Sequence, residues 1–269
     1  MGERGNFMNI LRLKWYGTAT ILLEYNGTEI VFDPFFPLNK KSFQPRLEEI
    51  SPDGLFATHC HFDHISAIPT LIEQSSKVIN VYCTGETQDI LAAKGVENSQ
   101  ICRITPGDAI NIGPFEIQVL KSKHIHFNTG LILKTLFNPR ILFYWNNFKQ
   151  IYKDKVNRNK EIETIAFNIR TPDKRILLLG SLNLDSETEY EPGADLLILP
   201  YQGRTDLSDY ALPFIYRLKP MKILLYHFDN TFPPFSSPVK TKKFVHIMKK
   251  DYPNIPIICT KASADWIDI

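Results

Sequence analysis

Three imidazoles and one carboxylate lie within one six-residue stretch, residues 59–64, where the sequence reads His-Cys-His-Phe-Asp-His. Neutral imidazoles and carboxylates are preferred ligands of zinc and of its first-row neighbours. Residues two apart on a strand project to the same side, so we expect His59 and His61 to face one cavity. Asp63 and His64 follow at a loop or helix start and approach the same cavity from a second direction. This density of ligands predicts a metal site rather than a polar loop.

The other histidines favour the same interpretation, because most of them also follow apolar, strand-like segments. His124 and His126 come just after one predicted strand, and His227 ends another apolar run. His246 lies in a lysine-rich segment and is interpreted as a solvated helix residue. Histidines at strand ends in three distant segments suit a site built along one edge of a sheet.

Motifs along nearly the whole chain carry a family pattern: the segments 13–24, 30–35, 59–64, 194–200 and 225–229, together with His124. They resemble the metallo-β-lactamase-fold hydrolases, specifically the branch similar to ascorbate-phosphate lactonases and N-acyl-phosphatidylethanolamine phospholipase D. The resemblance implies an α/β fold, a four-layered αββα sandwich. We expect one metallo-hydrolase domain over residues 1–269, with an apolar insertion at about 127–160.

The resemblance also implies a set of metal ligands. One ion would be held by His59, His61 and His124, and a second by Asp63, His64 and His227. His126 is the rival of His124 and is disfavoured because it lies further from the strand end. The expected cofactor is Zn²⁺, as one or two ions, with Mn²⁺ or Fe²⁺ as alternatives.

Two aspartates are candidates for a supporting role around these ligands. Asp33 and Asp229 are each placed to accept the free N–H of a ligating imidazole and so fix its tautomer. For Asp33 an equally supported alternative is the capping of a turn before Pro34.

Ser181 marks a departure from the family pattern. The family usually carries an aspartate after a glycine at the end of a middle strand, and that carboxylate bridges both metals. Here the strand-like segment 175–179 and Gly180 are followed by Ser181, which leaves Asp63 to offset two repelling cations. Two hypotheses follow: the second metal binds weakly or is absent, or an anionic substrate supplies the missing charge. Asp185 could replace the bridge only through an unusual loop.

The predicted function is that of a metal-dependent hydrolase. A metal lowers the pKa of bound water from about 15.7 to about 7, which provides a metal-bound hydroxide as nucleophile. The predicted target is an ester, lactone or phosphodiester bond, in a substrate with an anionic or lipid-like part. Asp63 would orient the water, and Ser181 would hydrogen-bond the water or a substrate oxygen. The alternative, favoured by Ser181, is a catalytically weak binding or sensor module with the same fold.

Composition limits the remaining choices. The chain has 269 residues, of which 43% are hydrophobic, enough for a substantial core. With 31 basic and 29 acidic residues nearly in balance, we expect a small-molecule substrate and no nucleic-acid partner. The 4 cysteines form no C-x-x-C pair and are expected to be reduced thiols. We find neither a secretory signal nor an apolar stretch of about 20 residues, so a cytoplasmic location is expected. A homo-oligomer is left open.

The elements expected to position these residues alternate strands with helices. Strands are predicted at 10–16, 19–25, 28–32, 55–58, 78–83, 115–121, 164–170, 176–179, 196–199, 221–226 and 255–260, and helices at 65–74, 84–94, 207–218 and 239–251. The apolar segment 127–152 fits no plain core element. It is interpreted either as an extra core or dimer-contact helix or as an apolar lid over the metals, with a membrane-facing surface as the weaker alternative.

Overall fold

In the computed structural model, which describes residues 10–128, 162–233 and 236–269, strands form two seven-stranded sheets. The first sheet contains β1 (Arg12–Gly17), β2 (Thr20–Tyr25), β3 (Thr28–Phe32), β4 (Gly54–Phe56), β5 (Val81–Cys83), β6 (Ile101–Arg103) and β14 (Ile267–Asp268), in the order β14-β1-β2-β3-β4-β5-β6. The second sheet contains β7 (Ala109–Ile112), β8 (Phe115–Ser122), β9 (Thr164–Arg170), β10 (Arg175–Leu179), β11 (Leu196–Pro200), β12 (Ile223–Tyr226) and β13 (Ile257–Ile258), in the order β13-β12-β11-β10-β9-β8-β7.

Strand direction determines which chain segments meet at the functional edge. In the first sheet β3 and β4 pair in parallel. In the second sheet β10, β11 and β12 are parallel, while β9 is antiparallel to both β10 and β8. Therefore β8 runs in the same direction as β10, and the loops that follow β8, β10, β11 and β12 leave one edge of the sheet.

The hairpin between β2 and β3 shows how local sequence sets the register. Asn26 and Gly27 have φ values of 54° and 80°, which are the left-handed values that a two-residue hairpin turn requires. Tyr25 pairs with Thr28 across this turn, and Ile21 pairs with Phe32 at the other end. This hairpin was predicted from the Asn-Gly pair and is confirmed.

Helices cover the outer faces of the two sheets, whose inner faces share one core. That shared core includes Phe32 of the first sheet and Phe167 of the second, whose ring centroids lie 5.2 Å apart. In the described part of the chain the α-helices are α1 (Phe62–Ile65), α2 (Ile68–Gln74), α3 (Gly85–Ala93), α4 (Leu207–Tyr210), α5 (Leu212–Leu218) and α6 (Lys242–Asp251).

Two further clusters attach these helices to the sheets. Leu71 of α2 packs in one cluster with Val31 of the first sheet, and Phe244 of α6 packs in another with Leu225 of the second. The molecule is thus an α/β sandwich with two sheets between helical layers, and the predicted fold class is confirmed.

The structure differs from the predicted elements in two respects. The predicted helices 65–74 and 207–218 are each divided, because Pro69 and Pro213 lack the backbone N–H that an uninterrupted helix would use. Strands β6, β7 and β14 were not predicted, and each contains only two to four residues. Beyond Phe127 and Asn128, the apolar segment 127–152 lies outside the described residues, as does most of the predicted insertion.

Candidate metal centre

The six predicted ligands form two triads of side chains. The first triad is His59, His61 and His124, and the second triad is Asp63, His64 and His227. Within each triad, one ligand-type atom from every residue lies within 4.8 Å of the others. The triads adjoin each other, since the ring centroids of His59 and His64 are 3.9 Å apart.

The first triad has the spacing that a small tetrahedral ion needs. Nε2 of His59 lies 3.1 Å from Nδ1 of His61, and the ring centroids of His61 and His124 are 4.6 Å apart. Two nitrogen ligands at about 2.0–2.1 Å from zinc in tetrahedral geometry are roughly 3.3 Å apart. The pair His59 and His61 therefore fits one ion.

The second triad contains one carboxylate between two imidazoles. Oδ2 of Asp63 lies 3.3 Å from Nε2 of His227 and 3.9 Å from Nε2 of His64. These separations again suit ligands of a single first-row ion.

The chain reaches these positions differently from the simple strand alternation that we expected. Strand β4 ends at Phe56, so His59 and His61 lie in the loop before α1, and His61 is the residue directly preceding that helix. Asp63 and His64 lie in the single turn of α1, as the predicted helix start implied. The imidazoles of His59 and His61 still lie together, because a tight loop rather than a strand orients them.

Asp33 connects three parts of this loop. The buried carboxylate accepts the backbone N–H of Thr58 at 2.7 Å and its hydroxyl at 2.8 Å. Its Oδ2 also lies 2.8 Å from Nδ1 of His64. A proton on that ring nitrogen leaves Nε2 of His64 unprotonated and directed toward Asp63. The structure therefore brings Asp33 to an imidazole of the second triad, as the sequence predicted.

Thr58 and Gln202 support further imidazoles and were not singled out from the sequence. The Thr58 hydroxyl, which donates to Asp33, lies 3.0 Å from Nδ1 of His59 and can accept a hydrogen bond from it. Oε1 of Gln202, just after β11, lies 3.2 Å from Nδ1 of His227. The available signals were that Thr58 immediately precedes the histidine motif and that Gln202 follows a strand ending at the same sheet edge.

Backbone conformation at the site is unusual at two of these residues. Asp33 and His227 have φ values of 49° and 61°, in the left-handed region that side-chain-bearing residues rarely adopt. Such strain persists only where surrounding contacts hold it, and it concentrates at functional sites. Asp33 is held by Thr58 and His64, and His227 directly follows the buried strand β12.

Burial and charge set the protonation of the triads. Burial lowers the pKa of His59 well below its ordinary value, which favours the neutral ring. For Asp63, burial alone would raise the pKa, but the neighbouring imidazoles outweigh burial and lower it. For His64, burial is outweighed by Asp33 and Asp63, which raise its pKa. The same two carboxylates would stabilise a metal cation at this position.

Asp229 occupies a different place from the one expected. Its carboxylate accepts the backbone N–H of Thr18 at 2.9 Å, and the ring nitrogen of His227 is contacted by Gln202 instead. Burial raises the pKa of Asp229. Asp229 thus joins the loop after β1 to the loop after β12, and the charge of the nearby His227 opposes the effect of burial on its pKa.

Three other polar residues considered from the sequence lie outside both triads. The Oγ of Ser181 accepts the backbone N–H of Ile125 at 2.9 Å. Asp185 is buried against Lys121 and Lys123, at 3.4 Å and 3.3 Å, so no unusual loop brings it to the triads as a bridge. His126 is exposed, and neither triad includes it.

Gly180 allows the loop after β10 to pass against Thr58. A Cβ at position 180 would lie 2.1 Å from Oγ1 and 2.2 Å from Cβ of Thr58. Thr58 cannot move away without breaking the hydrogen bond that its hydroxyl donates to Asp33. We therefore expect Gly180→Ala to lower the free energy of unfolding by about 1–3 kcal/mol through overpacking. Denaturant unfolding followed by circular dichroism measures this loss.

A matched substitution separates steric conflict from the general effect of adding a methyl group. At Gly85, the new Cβ would meet only the flexible end of the Arg103 side chain. Gly85→Ala should leave the unfolding free energy within about 0.5 kcal/mol of the starting protein. Equal losses in the two variants would contradict the close packing of Gly180 on Thr58.

The donor set fits one or two transition-metal ions. Five imidazoles and one carboxylate are grouped in threes, and the second nitrogen of His59, His64 and His227 faces Thr58, Asp33 and Gln202, respectively. Supporting contacts of this kind fix the ring orientation and tautomer of metal-binding histidines. The arrangement can therefore polarise a bound oxygen atom through a metal.

Comparisons with known proteins show the family of this chain. The family described as β-lactamase superfamily domain matches residues 28–228. A UPF0173 metal-dependent hydrolase from Xanthobacter autotrophicus is 28% identical over 134 residues, which are 48% of this chain and 54% of that protein. The chain thus spans about half the length of this curated relative.

Two solved structures share the fold. A metallo hydrolase from the archaeon Ignicoccus hospitalis gives a TM-score of 0.64 at 15% identity, covering 96% of this chain and 98% of that one. The metallo-β-lactamase fold protein YhfI from Bacillus subtilis gives 0.62 at 13% identity, covering 97% and 100%. At these identities the likeness concerns the fold.

Proposed function

Because this chain belongs to the family described as β-lactamase superfamily domain, we propose that it is a metal-dependent hydrolase acting on a small molecule. The observation that carries the proposal is the pair of adjoining triads, His59-His61-His124 and Asp63-His64-His227. The relative from Xanthobacter autotrophicus, described as a metal-dependent hydrolase, supports the same activity.

The proposed metal is Zn²⁺, held first by the three imidazoles and then by the triad that contains Asp63. Mn²⁺ and Fe²⁺ are alternatives, because imidazole and carboxylate ligands also suit those ions. A bound metal supplies Lewis acidity and a water molecule acidic enough to lose its proton near neutral pH. Removal of the metal by a chelator should therefore abolish turnover.

The side chains of the site have separate tasks in this proposal. Asp63, kept anionic by its neighbours, accepts a hydrogen bond from the attacking water and orients it. Asp33 and Thr58 keep His64 and His59 in the tautomers that present Nε2 to the site. The Oγ of Ser181 accepts the N–H of Ile125, and its own O–H can still be donated to the water or to a substrate oxygen.

The shortage of negative charge bears on the number of ions. Among the residues that the structure describes, the two triads contain one carboxylate, which is that of Asp63. Two divalent cations a few ångströms apart repel strongly where water is excluded. We propose that the first triad binds its ion more tightly, and that an anionic group of the substrate helps to hold the second.

Aromatic side chains border the triads and support a substrate with an apolar part. Phe62, between two of the proposed ligands, packs with Phe35 and Phe232 in one small cluster. The ring of Phe127 lies 5.7 Å from that of His124 while 43% of the residue remains exposed. An apolar group joined to the scissile bond would contact the exposed ring of Phe127.

The proposed bond is an ester, a lactone or a phosphodiester. The branch resembling ascorbate-phosphate lactonases and N-acyl-phosphatidylethanolamine phospholipase D is part of this proposal and is supported by the sequence motifs alone. In the part of the chain that the structure describes, none of the helices has the length and hydrophobicity to cross a bilayer.

A substrate panel tests both the activity and the apolar preference. We expect 4-nitrophenyl esters, lactones and bis(4-nitrophenyl) phosphate to include at least one compound hydrolysed by Zn²⁺-loaded protein. Within an active class, the hexanoyl or butyl analogue should exceed the acetyl or methyl analogue in kcat/KM by about 10-fold, the effect of roughly 1.4 kcal/mol of apolar contact. Phe127→Ala should remove most of this difference by raising KM for the longer analogue.

Tyr216→Ala is the matched control for that variant. Tyr216 is an aromatic residue of α5 with 72% of its surface exposed, and it belongs to neither triad. Its substitution should leave the chain-length preference unchanged. A preference that survives Phe127→Ala would contradict the apolar contact, and no turnover of any compound with bound metal would contradict hydrolysis.

One observation favours a second candidate function. Ser181 stands where the family usually has a bridging aspartate, and its hydroxyl is bonded to the backbone rather than directed to a ligand. Without a bridging aspartate, a catalytically weak binding or sensor module would still bind a metal at the first triad. Metal binding without turnover of any panel compound would favour this candidate.

A further inference from the structure

A single peptide group next to the first triad is held from both ends by side chains of the loop after β10. The carbonyl oxygen of His124 accepts a hydrogen bond from Nδ2 of Asn183 at 3.1 Å. The N–H of Ile125, which belongs to the same peptide bond, donates to Oγ of Ser181 at 2.9 Å. We call Ser181 and Asn183 the peptide clamp.

The loop that carries the clamp is itself internally fixed. The N–H of Asn183 donates to the carbonyl of Ser181 at 2.8 Å, and Oδ1 of Asn183 accepts the N–H of Leu184 at 2.9 Å. The carbonyl of Asn183 accepts the hydroxyl of Ser122, at the end of β8, at 3.1 Å. Both amide atoms of Asn183 are therefore used, and the clamp cannot rotate without breaking several hydrogen bonds.

The clamp acts on His124, which lies outside the regular secondary structure of the molecule. His124 follows the end of β8 at Ser122 and is only partly buried, whereas His59 is almost fully buried. Nδ1 of His124 lies 2.9 Å from the carbonyl oxygen of Ile125, the next peptide along the chain. Fixing the peptide plane between His124 and Ile125 constrains the backbone that carries the ring, and the contact of Nδ1 with the Ile125 carbonyl oxygen sets the orientation of the ring on that backbone.

We infer that Ser181 and Asn183 are positioning residues for the metal held by the first triad, and that they act through the His124–Ile125 peptide. The inference rests on the proposed function. In it Ser181 has a role of its own: a neutral hydroxyl accepts a backbone amide and preorganises one metal position, without contacting either metal. The clamp should influence the first triad and leave the second triad unaffected.

The test isolates each triad before the clamp is altered. His227→Ala leaves the first triad complete, and His61→Ala leaves the second complete. Into each of these two proteins we would introduce Ser181→Ala, which removes the acceptor, or Asn183→Leu, which keeps roughly the size of the side chain and removes its donor without adding a charge. Zn²⁺ affinity is then measured by competition with a chromophoric chelator.

We expect both clamp variants to weaken Zn²⁺ binding about 10- to 100-fold where only the first triad is complete, the usual effect of losing a contact behind a metal ligand. Where only the second triad is complete, the change should stay below about 2-fold. Ser181→Thr, which keeps a hydroxyl, should restore most of the first-triad affinity. Thr188→Ala, which removes a hydrogen bond to Asp185 elsewhere in the same loop, should change neither affinity.

The outcomes separate the inference from the proposed function. Equal weakening at both triads, or none at the first, would overturn the clamp while leaving a metal-binding protein. If neither His227→Ala nor His61→Ala binds Zn²⁺ although both are folded by circular dichroism, the proposed metal centre fails and the clamp with it. Thermal unfolding of every variant shows whether lost affinity merely follows lost stability.

Discussion

Replacing His61 with alanine will lower kcat/KM by at least about 1,000-fold and remove the ion of the first triad. Nε2 of His59 and Nδ1 of His61 lie 3.1 Å apart, so His61 supplies one of three nitrogens around the same point. Metal-assisted activation of water contributes several kcal/mol, and about 4 kcal/mol corresponds to a 1,000-fold change in rate. Metal content by mass spectrometry and hydrolysis of the best panel substrate measure the two effects.

The fold should survive this substitution, because His61 is only partly buried and lies in a loop. His126→Ala is the control, since His126 is an exposed histidine two positions from a proposed ligand and lies in neither triad. It should retain the ion and at least half of the activity. An inactive His126→Ala protein beside an active His61→Ala protein would reverse the assignment of ligands.

Replacing Asp33 with asparagine will weaken both the fold and the second triad. Three donors converge on this buried carboxylate: the N–H and hydroxyl of Thr58 and, when protonated, Nδ1 of His64. An amide group directs its own hydrogens at one of these donors, which leaves buried polar groups unsatisfied at a cost of about 1–3 kcal/mol. The tautomer of His64 is then no longer fixed, so Zn²⁺ affinity at the second triad should fall about 10- to 100-fold.

Both effects are measured in the protein that carries His61→Ala, where the second triad alone is complete. Denaturant unfolding gives the stability, and chelator competition gives the affinity. Asp185→Asn is the control, because Asp185 is an equally buried carboxylate that pairs with Lys121 and Lys123. It should lower stability without changing this affinity. A parallel loss of affinity in the control would mean that Asp33 acts through stability alone.

The composition of the site was accessible from the sequence because its signals are dense and local. Four ligand-type residues within 59–64 have few structural alternatives, and His124 and His227 each follow an apolar run. Their convergence follows from strand direction: β8, β10, β11 and β12 end at one edge, so residues just beyond them meet. Asp33, which directly follows β3, was also a candidate from the sequence.

The supporting contacts were less accessible, because they join distant segments through common residue types. Gln202 reaches His227 across 25 positions, and Ser181 reaches Ile125 across 56. A lone glutamine or serine in a loop has no pattern that predicts such a partner. The placement of Asp229 on Thr18, 211 positions away, depends likewise on the way two loops pack.

Some elements were missed although local signals existed. The proline positions in α2 and α5 could have divided the two predicted helices, since proline removes the donor that a continuous helix needs. The alternating segment of β7 is flanked by Gly107 and Gly113, both with positive φ, which is typical of a short strand between turns. Strand β14 has two residues and is stabilised by pairing with β1, which no local pattern indicates.

The most direct measurement is the location of metal in crystals of protein purified without chelator. Anomalous diffraction recorded above and below the zinc absorption edge would show each bound ion as a separate peak. The account predicts a strong peak among His59, His61 and His124, and an equal or weaker one among Asp63, His64 and His227. Well-ordered crystals grown with added Zn²⁺ that show no peak at either triad would contradict it.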